Sequence, residues 1–507
     1  MFLLLLILIP LAGAALLAAQ SKLDARAAGR FAMLWCALAL LMAIALGAAD
    51  SAKREWSLPW IPDAGISLRF SVDGISWLFV FLTALVVLFA VLASLLRGKG
   101  DRAYYALILV LQSALFGVFT ARHFIPWFLC WEMTLIPAWL LIRLWGGAGA
   151  PKAALRFFIM TLGGSAFMLV GFLALQLSVG TMDFDALGKL AANHALAGHL
   201  AQTFAFTGAS GHTILSCVAL AVFLGLAVKL PIVPVHAWLP AAYAEAPTPV
   251  TMLLTGLLSK MGVYGLLRIF LPVFPEVLPS LAPLLSWLAV ATVLLGAVAA
   301  LAQTDLKRML AYSSLNHLGY CALAIAAAAA VQTDRNALAS ALSGTVLQAF
   351  NHGIIASTLF FGVGVLESRS RGQRGLNDFG GLRARVPVFC GLFGIAVFAS
   401  LGLPGLSGFV GEFLIFNGAF AMTPAAAAVS VAGLLFTAVF LLRMMRLVFW
   451  GPLKPALETW TDLTTTERVI FGVAILLIVV PGLWPQALLH FSNDGVLRLL
   501  DLLRPLP

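Results

Sequence analysis

The chain has 507 residues, of which 62% are hydrophobic and only 10% are charged, and its mean hydropathy is +1.02. A soluble domain carries about 25% charged residues, and a soluble chain of this length usually has polar linkers between its domains. The composition therefore excludes a soluble enzyme, a nucleic-acid binder and a disulfide-stapled secreted domain, and it indicates an all-α polytopic membrane protein.

Apolar runs along the chain predict fourteen membrane spans. The first run, MFLLLLILIPLAGAALLAA, lacks the basic start of a signal peptide, so we expect it to be retained as a helix. Spans 336–366 and 386–418 exceed the ~20 residues that a crossing needs, and a tilt, a kink or a break is expected in each. The predicted spans are 2–19, 31–49, 73–96, 103–120, 124–145, 153–179, 213–236, 248–270, 281–302, 308–330, 336–366, 386–418, 424–450 and 467–490.

The net charge of +10 lies in the loops and indicates how the chain is oriented. With an outward N-terminus, the loops on the inner side hold 20 lysines and arginines, and those on the outer side hold 9. Inner loops of membrane proteins carry the excess of basic residues. Both termini are therefore predicted on the outer side, provided that the number of spans is even.

Two spans are interrupted by proline and glycine, and each has one ionisable residue beside its interruption. Lys229 lies in the seventh span, GLAVKLPIVPVHAWLP, and Glu412 lies in the twelfth, SLGLPGLSGFVGEF. Interrupted helices at corresponding positions are typical of internal repeats with a site near the midplane. Spans 4–8 and 9–13 are therefore predicted repeats. The resulting segments are helices 1–3 in 1–96, the first repeat in 103–270, the second repeat in 281–450, and the last helix and tail in 467–507.

Four ionisable residues lie well inside predicted spans: Glu132, Lys229, Lys260 and Glu412. On insertion scales, each such charge costs about 2.5–3.5 kcal/mol unless it pairs or lines a hydrated path. Two opposite charges at about 4 Å attract by about 4 kcal/mol at an effective dielectric constant of 20. Glu132 and Lys229 could form such a pair, either as a structural contact or as one that controls proton release from the lysine.

Lysines and histidines in the spans are candidate proton carriers. Lys229 and Lys260 can exchange protons, whereas an arginine would stay charged. His317 and His352 have an ordinary pKa near neutrality, which suits a proton relay, but a buried histidine can also be a satisfied hydrogen-bonding group. Motifs for zinc, ATP or dinucleotides do not occur, so neither a metal nor a cofactor is predicted in this chain.

Five segments between spans 5 and 12 resemble the antiporter-like subunits of respiratory complex I. A glutamate at 412 favours the branch of that family that has glutamate there, since the sibling subunits and the Mrp-type antiporter subunits usually have lysine. The segments are FLCWEMTLIP, VKLPIVPVHAWLPAAYAEAPTPV, LLSKMGVYGLLR, AQTDLKRMLAYSSLNHLGY and GLPGLSGFVGEF.

The resemblance implies a fourteen-helix fold with two inverted five-helix repeats, in which helices 7 and 12 are broken. It also implies a proton route through the middle of the bilayer. The residues that match the family pattern would be Glu132 and Lys229 as a regulatory ion pair, Lys260 and His317 as the central relay, His352 as a candidate second relay, and Glu412 as the terminal proton site.

The expected function is that of a proton-translocating membrane subunit of NADH:quinone oxidoreductase. Flavin and iron–sulfur clusters are then expected in partner subunits, and none in this chain. Its partners would be other complex I membrane subunits, including further antiporter-like subunits, together with protons and the lipid bilayer, and no nucleic acid. The expected location is a bacterial-type inner membrane, with both termini on the periplasmic face.

Two alternatives remain open on the residues alone. One is a subunit of an Mrp-type cation/proton antiporter or of a membrane-bound hydrogenase, and the glutamate at 412 argues against the antiporter. The other is a purely structural subunit of the membrane arm, and the four charges within the spans argue against it.

Overall fold

The computed structural model describes residues 2–20, 22–50, 54–98, 100–330 and 334–503, and only the backbone of residue 64. Lys53, Lys99 and Arg504, which contribute to the charge count above, lie outside the described residues. The same holds for the end of the predicted segment 467–507, from residue 504 onward.

The N-terminal part contains three long helices and an antiparallel hairpin that the sequence analysis did not predict. The hairpin pairs Glu55 with Ser71 and turns at Gly65, whose φ of +67° suits glycine. Pro59 lies in its first strand, and proline argues against a strand when only the sequence is read. The elements are α1 (Phe2–Ala19), α2 (Ala25–Gly47), β1 (Glu55–Ile61), a 3₁₀ turn (Pro62–Ala64), β2 (Ile66–Ser71) and α3 (Gly74–Arg97).

The middle part contains the first interrupted helix and two helices in the polar stretch that follows α7. The elements are α4 (Arg102–Thr120), α5 (Phe124–Met133), α6 (Leu135–Trp145), α7 (Ala150–Val179), α8 (Phe184–Ala192), α9 (Leu196–Thr203), a 3₁₀ turn (Ala205–Thr207), α10 (Gly211–Lys229), α11 (Leu239–Glu245), α12 (Thr248–Leu253), a π-helical turn (Leu254–Leu258), α13 (Ser259–Gly265), a second π-helical turn (Leu266–Phe270) and α14 (Leu271–Val273).

The C-terminal part contains the second interrupted helix and an amphipathic final helix. The elements are α15 (Leu278–Ala302), α16 (Leu306–Ala330), α17 (Arg335–Arg369), 3₁₀ turns (Leu376–Asp378 and Leu382–Ala384), α18 (Pro387–Ser400), α19 (Ser407–Met422), α20 (Pro424–Phe449), a 3₁₀ turn (Pro455–Leu457), α21 (Thr465–Leu483) and α22 (Gln486–Leu502).

The polytopic helical fold is confirmed, and the count of fourteen crossings stays a prediction. In the described residues, twelve helical segments are long and apolar enough to cross a membrane. The other two predicted spans coincide with α16, which begins with a polar turn, and with the pair α18 and α19, which are shorter. The predicted span 467–490 ends earlier, at Leu483, and α22 follows it as a separate helix.

Both predicted interruptions are present, so each predicted repeat holds one broken helix. In the first, α10 ends at Lys229, and α11 begins only at Leu239. In the second, α18 ends at Ser400 and α19 begins at Ser407. The other long span, α17, continues for 35 residues without a break. At 1.5 Å per residue it measures about 52 Å, so it must tilt or extend beyond a bilayer core of about 30 Å.

The interior of the bundle is formed by α3, α16, α17 and the stretch from α12 to α14. The apolar windows of α17 and of Thr248–Val273 are completely buried. Helices at the rim direct large apolar side chains outward, such as Leu177 in α7 and Leu435 in α20. Such a surface suits contact with lipid, so polar groups in the interior are shielded from both lipid and water.

We name the two ends of the bundle after one carboxylate each. Asp73 precedes α3 at one end, the Asp73 face, and Glu367 lies near the end of α17 at the other, the Glu367 face. Arg102, at the start of α4, donates to Gln20 O, so the end of α1 lies on the Glu367 face and its start lies on the Asp73 face. The final helix α22 also lies on the Asp73 face, where the Phe491 and Trp77 ring centroids are 4.2 Å apart.

Candidate functional site

Lys229 ends α10, at the point where the seventh span loses its regular hydrogen bonding. Pro231 and Pro234 have no N–H to donate, and side chains bond to the backbone groups around them. The Trp238 Nε1–H donates to Val228 O at 2.8 Å, and Val233 N–H donates to Thr292 Oγ1 at 2.9 Å. The interruption is thus held open by specific contacts.

The Lys229 ammonium lies in an aromatic and hydroxyl environment and is 2% exposed. Its Nζ lies 3.5 Å from Thr134 Oγ1, 5.3 Å from the centroid of the Trp131 ring and 5.8 Å from that of Phe157. The two rings offer cation–π attraction, and the hydroxyl offers one hydrogen bond. These contacts hold a charge in the interior without neutralising it.

The direct ion pair predicted between Glu132 and Lys229 is not formed. In the described part of the chain, no nitrogen–oxygen distance within 4.0 Å joins the two, although the carboxylate acts on the ammonium electrostatically. Trp131 and Thr134 lie three residues apart on the helix face that contacts Lys229. On a helix, the side chain of Glu132 projects about 100° away from that of Trp131, so it does not lie on this face. It is half-buried, and its Oε1 has no hydrogen-bond partner.

Lys260 is fully buried on α13, directly after the first π-helical turn. In that turn, Ser259 N–H bonds to Leu254 O, five residues earlier. The carbonyl of Thr255 therefore accepts from the Ser259 hydroxyl at 3.2 Å and from the Lys260 ammonium. The Lys260 Nζ also lies 2.7 Å from Nδ1 of His352.

The two histidines continue from Lys260 toward the second broken helix. The ring centroids of His352 on α17 and His317 on α16 are 5.3 Å apart. His317 Nδ1 lies 3.0 Å from Glu412 Oε1, and its Nε2 lies 3.1 Å from Ser400 Oγ. The structure thus places His352 between Lys260 and His317, where the resemblance made it only a candidate second relay.

Glu412 occupies the far end of this line, on α19, and is 5% exposed. Its Oε1 accepts from the Gln348 amide at 3.3 Å as well as facing His317. The break before α19 brings Gly402 so close that a Cβ there would lie 2.6 Å from Glu412 Oε2. The carboxylate is therefore seated against the interrupted backbone.

Five of the six predicted site residues are buried in the interior, and four of them form one continuous line. We call it the relay line: Lys260, His352, His317 and Glu412, in spatial order. Lys229 is separate from it and surrounded by its own contacts, and Glu132 lies beside Lys229 without touching it. Lysine, imidazole and carboxylate groups in sequence can pass protons because each can hold one and release one.

Sequence reasoning missed the polar residues that hold this line in place. Thr134, Ser400 and Gln348 contact Lys229, His317 and Glu412, respectively. Gln348 precedes His352 by four residues on one helix, and this spacing was a readable signal for a shared face. No such signal marked Ser400, because its contact depends on how α18 packs against α16.

Comparisons with known proteins agree on one family. The family model described as the membrane region of NADH:quinone oxidoreductase and Mrp antiporters matches residues 121–437, which include all six predicted site residues. The fold and the buried line of charges thus define a membrane subunit of the antiporter-like class. The chain belongs to the NADH:quinone oxidoreductase/Mrp antiporter family.

Individual relatives point to one branch of that family. NADH-quinone oxidoreductase subunit M of Rhodobacter capsulatus is 34% identical, over 97% of this chain and 95% of the relative. Subunit M of Pseudomonas aeruginosa is 36% identical, over 88% of this chain and 86% of the relative.

Solved structures share the fold over nearly the whole chain. A chain of respiratory complex I from Thermus thermophilus with bound NADH matches with a TM-score of 0.86 and 28% identity, covering 99% of this chain and 100% of that one. A chain of the Mrp complex from Dietzia sp. matches with a TM-score of 0.82 at 21% identity, covering 98% and 97%, which shows the fold alone.

Proposed function

We propose that this chain is a proton-translocating membrane subunit of NADH:quinone oxidoreductase. The observation that carries the proposal is the relay line, in which an amine, two imidazoles and a carboxylate follow one another through the interior of the bundle. The family model covers both this enzyme and the Mrp antiporters. The names of the relatives, at 31–36% identity, favour the enzyme, whereas the Mrp structure, at 21% identity, shows the fold alone.

In the proposed mechanism, the chain moves protons and other subunits carry out the redox chemistry. Flavin, iron–sulfur clusters and the quinone site belong to partner subunits, and energy from quinone reduction reaches this chain through neighbouring membrane subunits. That energy changes the distance between Glu132 and Lys229, which do not touch in this state. Withdrawing the carboxylate disfavours the charged ammonium and releases its proton, and approach of the carboxylate has the opposite effect.

The proton released from Lys229 then enters the relay line. A positive charge that leaves Lys229 is taken up by Lys260 and passes to His352. His317, whose ring centroid lies 5.3 Å from that of His352, accepts it next and delivers it from Nδ1 to Glu412 Oε1. Each imidazole takes a proton on one nitrogen as it gives one up from the other, so no charge has to remain on the rings.

We further propose that the chain lies in a bacterial-type inner membrane with both termini on the periplasmic face. The start of α1 and the helix α22 lie at the same end of the bundle, which supports termini on one side. The excess of basic residues in loops near the Glu367 face supports the assignment of that face to the cytoplasm.

Substitution of Glu412 tests the proposal. Glu412→Gln keeps the shape of the side chain and removes its capacity to take up a proton. In proteoliposomes holding the whole complex, we expect fewer protons translocated per NADH oxidised. Glu458→Gln is the matched control, because Glu458 is exposed in a loop outside the relay line. An unchanged proton-to-NADH ratio in Glu412→Gln would overturn the proposal.

A further inference from the structure

A second buried cluster of charges lies on the Asp73 face, outside the proposed mechanism. Asp73 caps α3 by accepting from Ser76 N–H at 3.0 Å. Its carboxylate also pairs with Arg122 at 3.2 Å and with Arg268. All three charged side chains are at most 14% exposed. Capping α3 requires only the aspartate, so the two arginines call for a further explanation.

The arginines keep this carboxylate charged. Burial alone would raise the pKa of Asp73, but Arg268 and Arg122 hold it well below its usual range. A carboxylate held in this way is a poor proton acceptor. It would accept a proton readily only when one of the arginines moves away.

Two buried hydroxyls connect the cluster to the interior of the bundle. The Tyr264 hydroxyl donates to Phe119 O at 2.9 Å and lies 2.8 Å from Ser76 Oγ. Ser76 stands on the first turn of α3, directly beside its cap Asp73. The Arg268 guanidinium lies 5.9 Å from the centroid of the Tyr264 ring. Tyr264 and Ser76 are both almost completely buried.

The inner hydroxyl, that of Tyr264, lies on the same helix as Lys260. Tyr264 follows Lys260 by four residues on α13, so the two side chains share one helix face. In this state, the Lys260 ammonium contacts Thr255 O and His352 and, among the described residues, makes no hydrogen bond to Tyr264. Its four-carbon stem is flexible enough to reach either side. The rings of Phe79 and Phe119 pack edge-on against Tyr264, at centroid distances of 5.4 and 5.3 Å.

The outer end of the cluster reaches open space. Two cavities of about 280 and 370 Å³ lie on this face, and Asp73 lines both of them. Arg122 and Arg268 line the larger one. The charged cluster thus stands between an external cavity and two hydroxyls that lead toward Lys260.

We propose that Tyr264, Ser76 and Asp73 form a side branch of the proton path from Lys260 to the Asp73 face, and that Arg122 and Arg268 hold this branch closed except when one of them moves away from Asp73 during turnover. The branch rests on the proposed function for the role of Lys260. When Lys260 turns toward Tyr264, the tyrosine hydroxyl rotates from Phe119 O toward Ser76 Oγ, and its oxygen accepts one proton as its own proton passes to Ser76. The serine hydroxyl in turn passes a proton to Asp73, so neither hydroxyl keeps a charge.

Removing one arginine tests whether the cluster is a gate. The whole complex with Arg268→Gln is reconstituted into proteoliposomes, and the collapse of an imposed pH difference is followed without NADH. We expect the collapse to be several-fold faster than with the wild-type complex, and Tyr264→Phe added to Arg268→Gln should restore the wild-type rate. Arg335→Gln is the matched control, since it breaks an exposed ion pair with Asp501 on the same face.

If the pH difference collapses no faster with Arg268→Gln than with the wild-type complex, the proposal is overturned. A fast collapse that persists when Tyr264→Phe is added would also overturn it. If the complex with Arg268→Gln fails to assemble, the single variant Tyr264→Phe tests the proposal through the proton-to-NADH ratio. It should lower the proton-to-NADH ratio in the wild-type background and have no further effect beside Lys260→Met, and an unchanged ratio overturns the proposal. The passive leak does not depend on turnover, so its outcome is distinct from the Glu412→Gln test of the proposed function.

Discussion

At the scale of single residues, the chain keeps its buried charges by giving each one a different set of contacts. A charge in mid-membrane costs about 2.5–3.5 kcal/mol on insertion scales. Lys229 has two aromatic rings and a hydroxyl, whereas Lys260 has a carbonyl and an imidazole. Glu412 faces an imidazole and an amide. None of these partners is a permanently opposite charge, so each group can still change its protonation state.

Lys229→Arg separates the charge at this position from its ability to release a proton. Arginine keeps the cation–π contacts with Trp131 and Phe157 but stays protonated. We therefore expect the complex to assemble and to translocate as few protons per NADH as it does with Lys229→Ala. Lys454→Arg, in a loop, is the control. Wild-type translocation in Lys229→Arg would show that Lys229 is only a fixed charge.

His352→Gln interrupts the relay line between Lys260 and His317. A glutamine can still hydrogen-bond to Lys260 but cannot carry a proton onward. We expect proton transfer through this chain to fall about 100-fold, the low end for loss of a positioned acid–base group. The measurement is proton uptake by proteoliposomes during NADH oxidation, with the exposed His199→Gln as the control. Equal proton uptake in both variants would show that His352 does not carry protons in the relay line.

The sequence was sufficient to predict which ionisable residues lie within the helical bundle, and insufficient to predict their order. Glu132, Lys229, Lys260 and Glu412 stood out because charges are rare in apolar spans. The position of His352 between Lys260 and His317 depends on how α13, α16 and α17 pack, which no local pattern encodes. The missing contact between Glu132 and Lys229 has the same origin, since the orientation of α5 decides which of its faces meets α10.

At the scale of helices, irregular backbone brings the functional groups into contact. Proline interrupts the helix after Lys229, a π-helical turn precedes Lys260, and glycines interrupt the helix before Glu412. π-Helical turns occur often at functional sites, and broken helices are tolerated where they line the interior. Proline and glycine made the two breaks predictable. The π-helical turns had no such marker.

Gly402→Ala tests the break beside Glu412. Gly402 has a φ of +80°, and a Cβ there would clash with Glu412 Oε2. An alanine in this conformation costs about 1 to 2 kcal/mol, so the melting temperature of the complex should fall. We also expect fewer protons translocated per NADH, because the carboxylate is displaced from His317.

Gly451→Ala is the matched control for that experiment. Gly451 has a similar φ of +88° but has open space around its Cβ position. It should show a comparable strain and translocate protons normally. If both variants translocate equally, the contact between Gly402 and Glu412 has no part in the function.

At the scale of the whole molecule, the fold separates an apolar rim from a polar interior. Large apolar side chains of α7 and α20 face outward, while Lys260 and His352 of the relay line lie on helical segments whose apolar windows are completely buried. Composition and the spacing of apolar runs predicted this arrangement because lipid imposes it on every span. The hairpin β1–β2 and most of the helix α22 lie on the Asp73 face, outside the apolar runs, where the bilayer imposes no such pattern.

The most direct test is made on the complex isolated through a tag on this chain. We predict that the preparation oxidises NADH with quinone, that proteoliposomes take up protons during the reaction, and that Lys260→Met lowers the number of protons per NADH without loss of subunits. A preparation that does not oxidise NADH, or a proton-to-NADH ratio that is unchanged by Lys260→Met, would contradict the account.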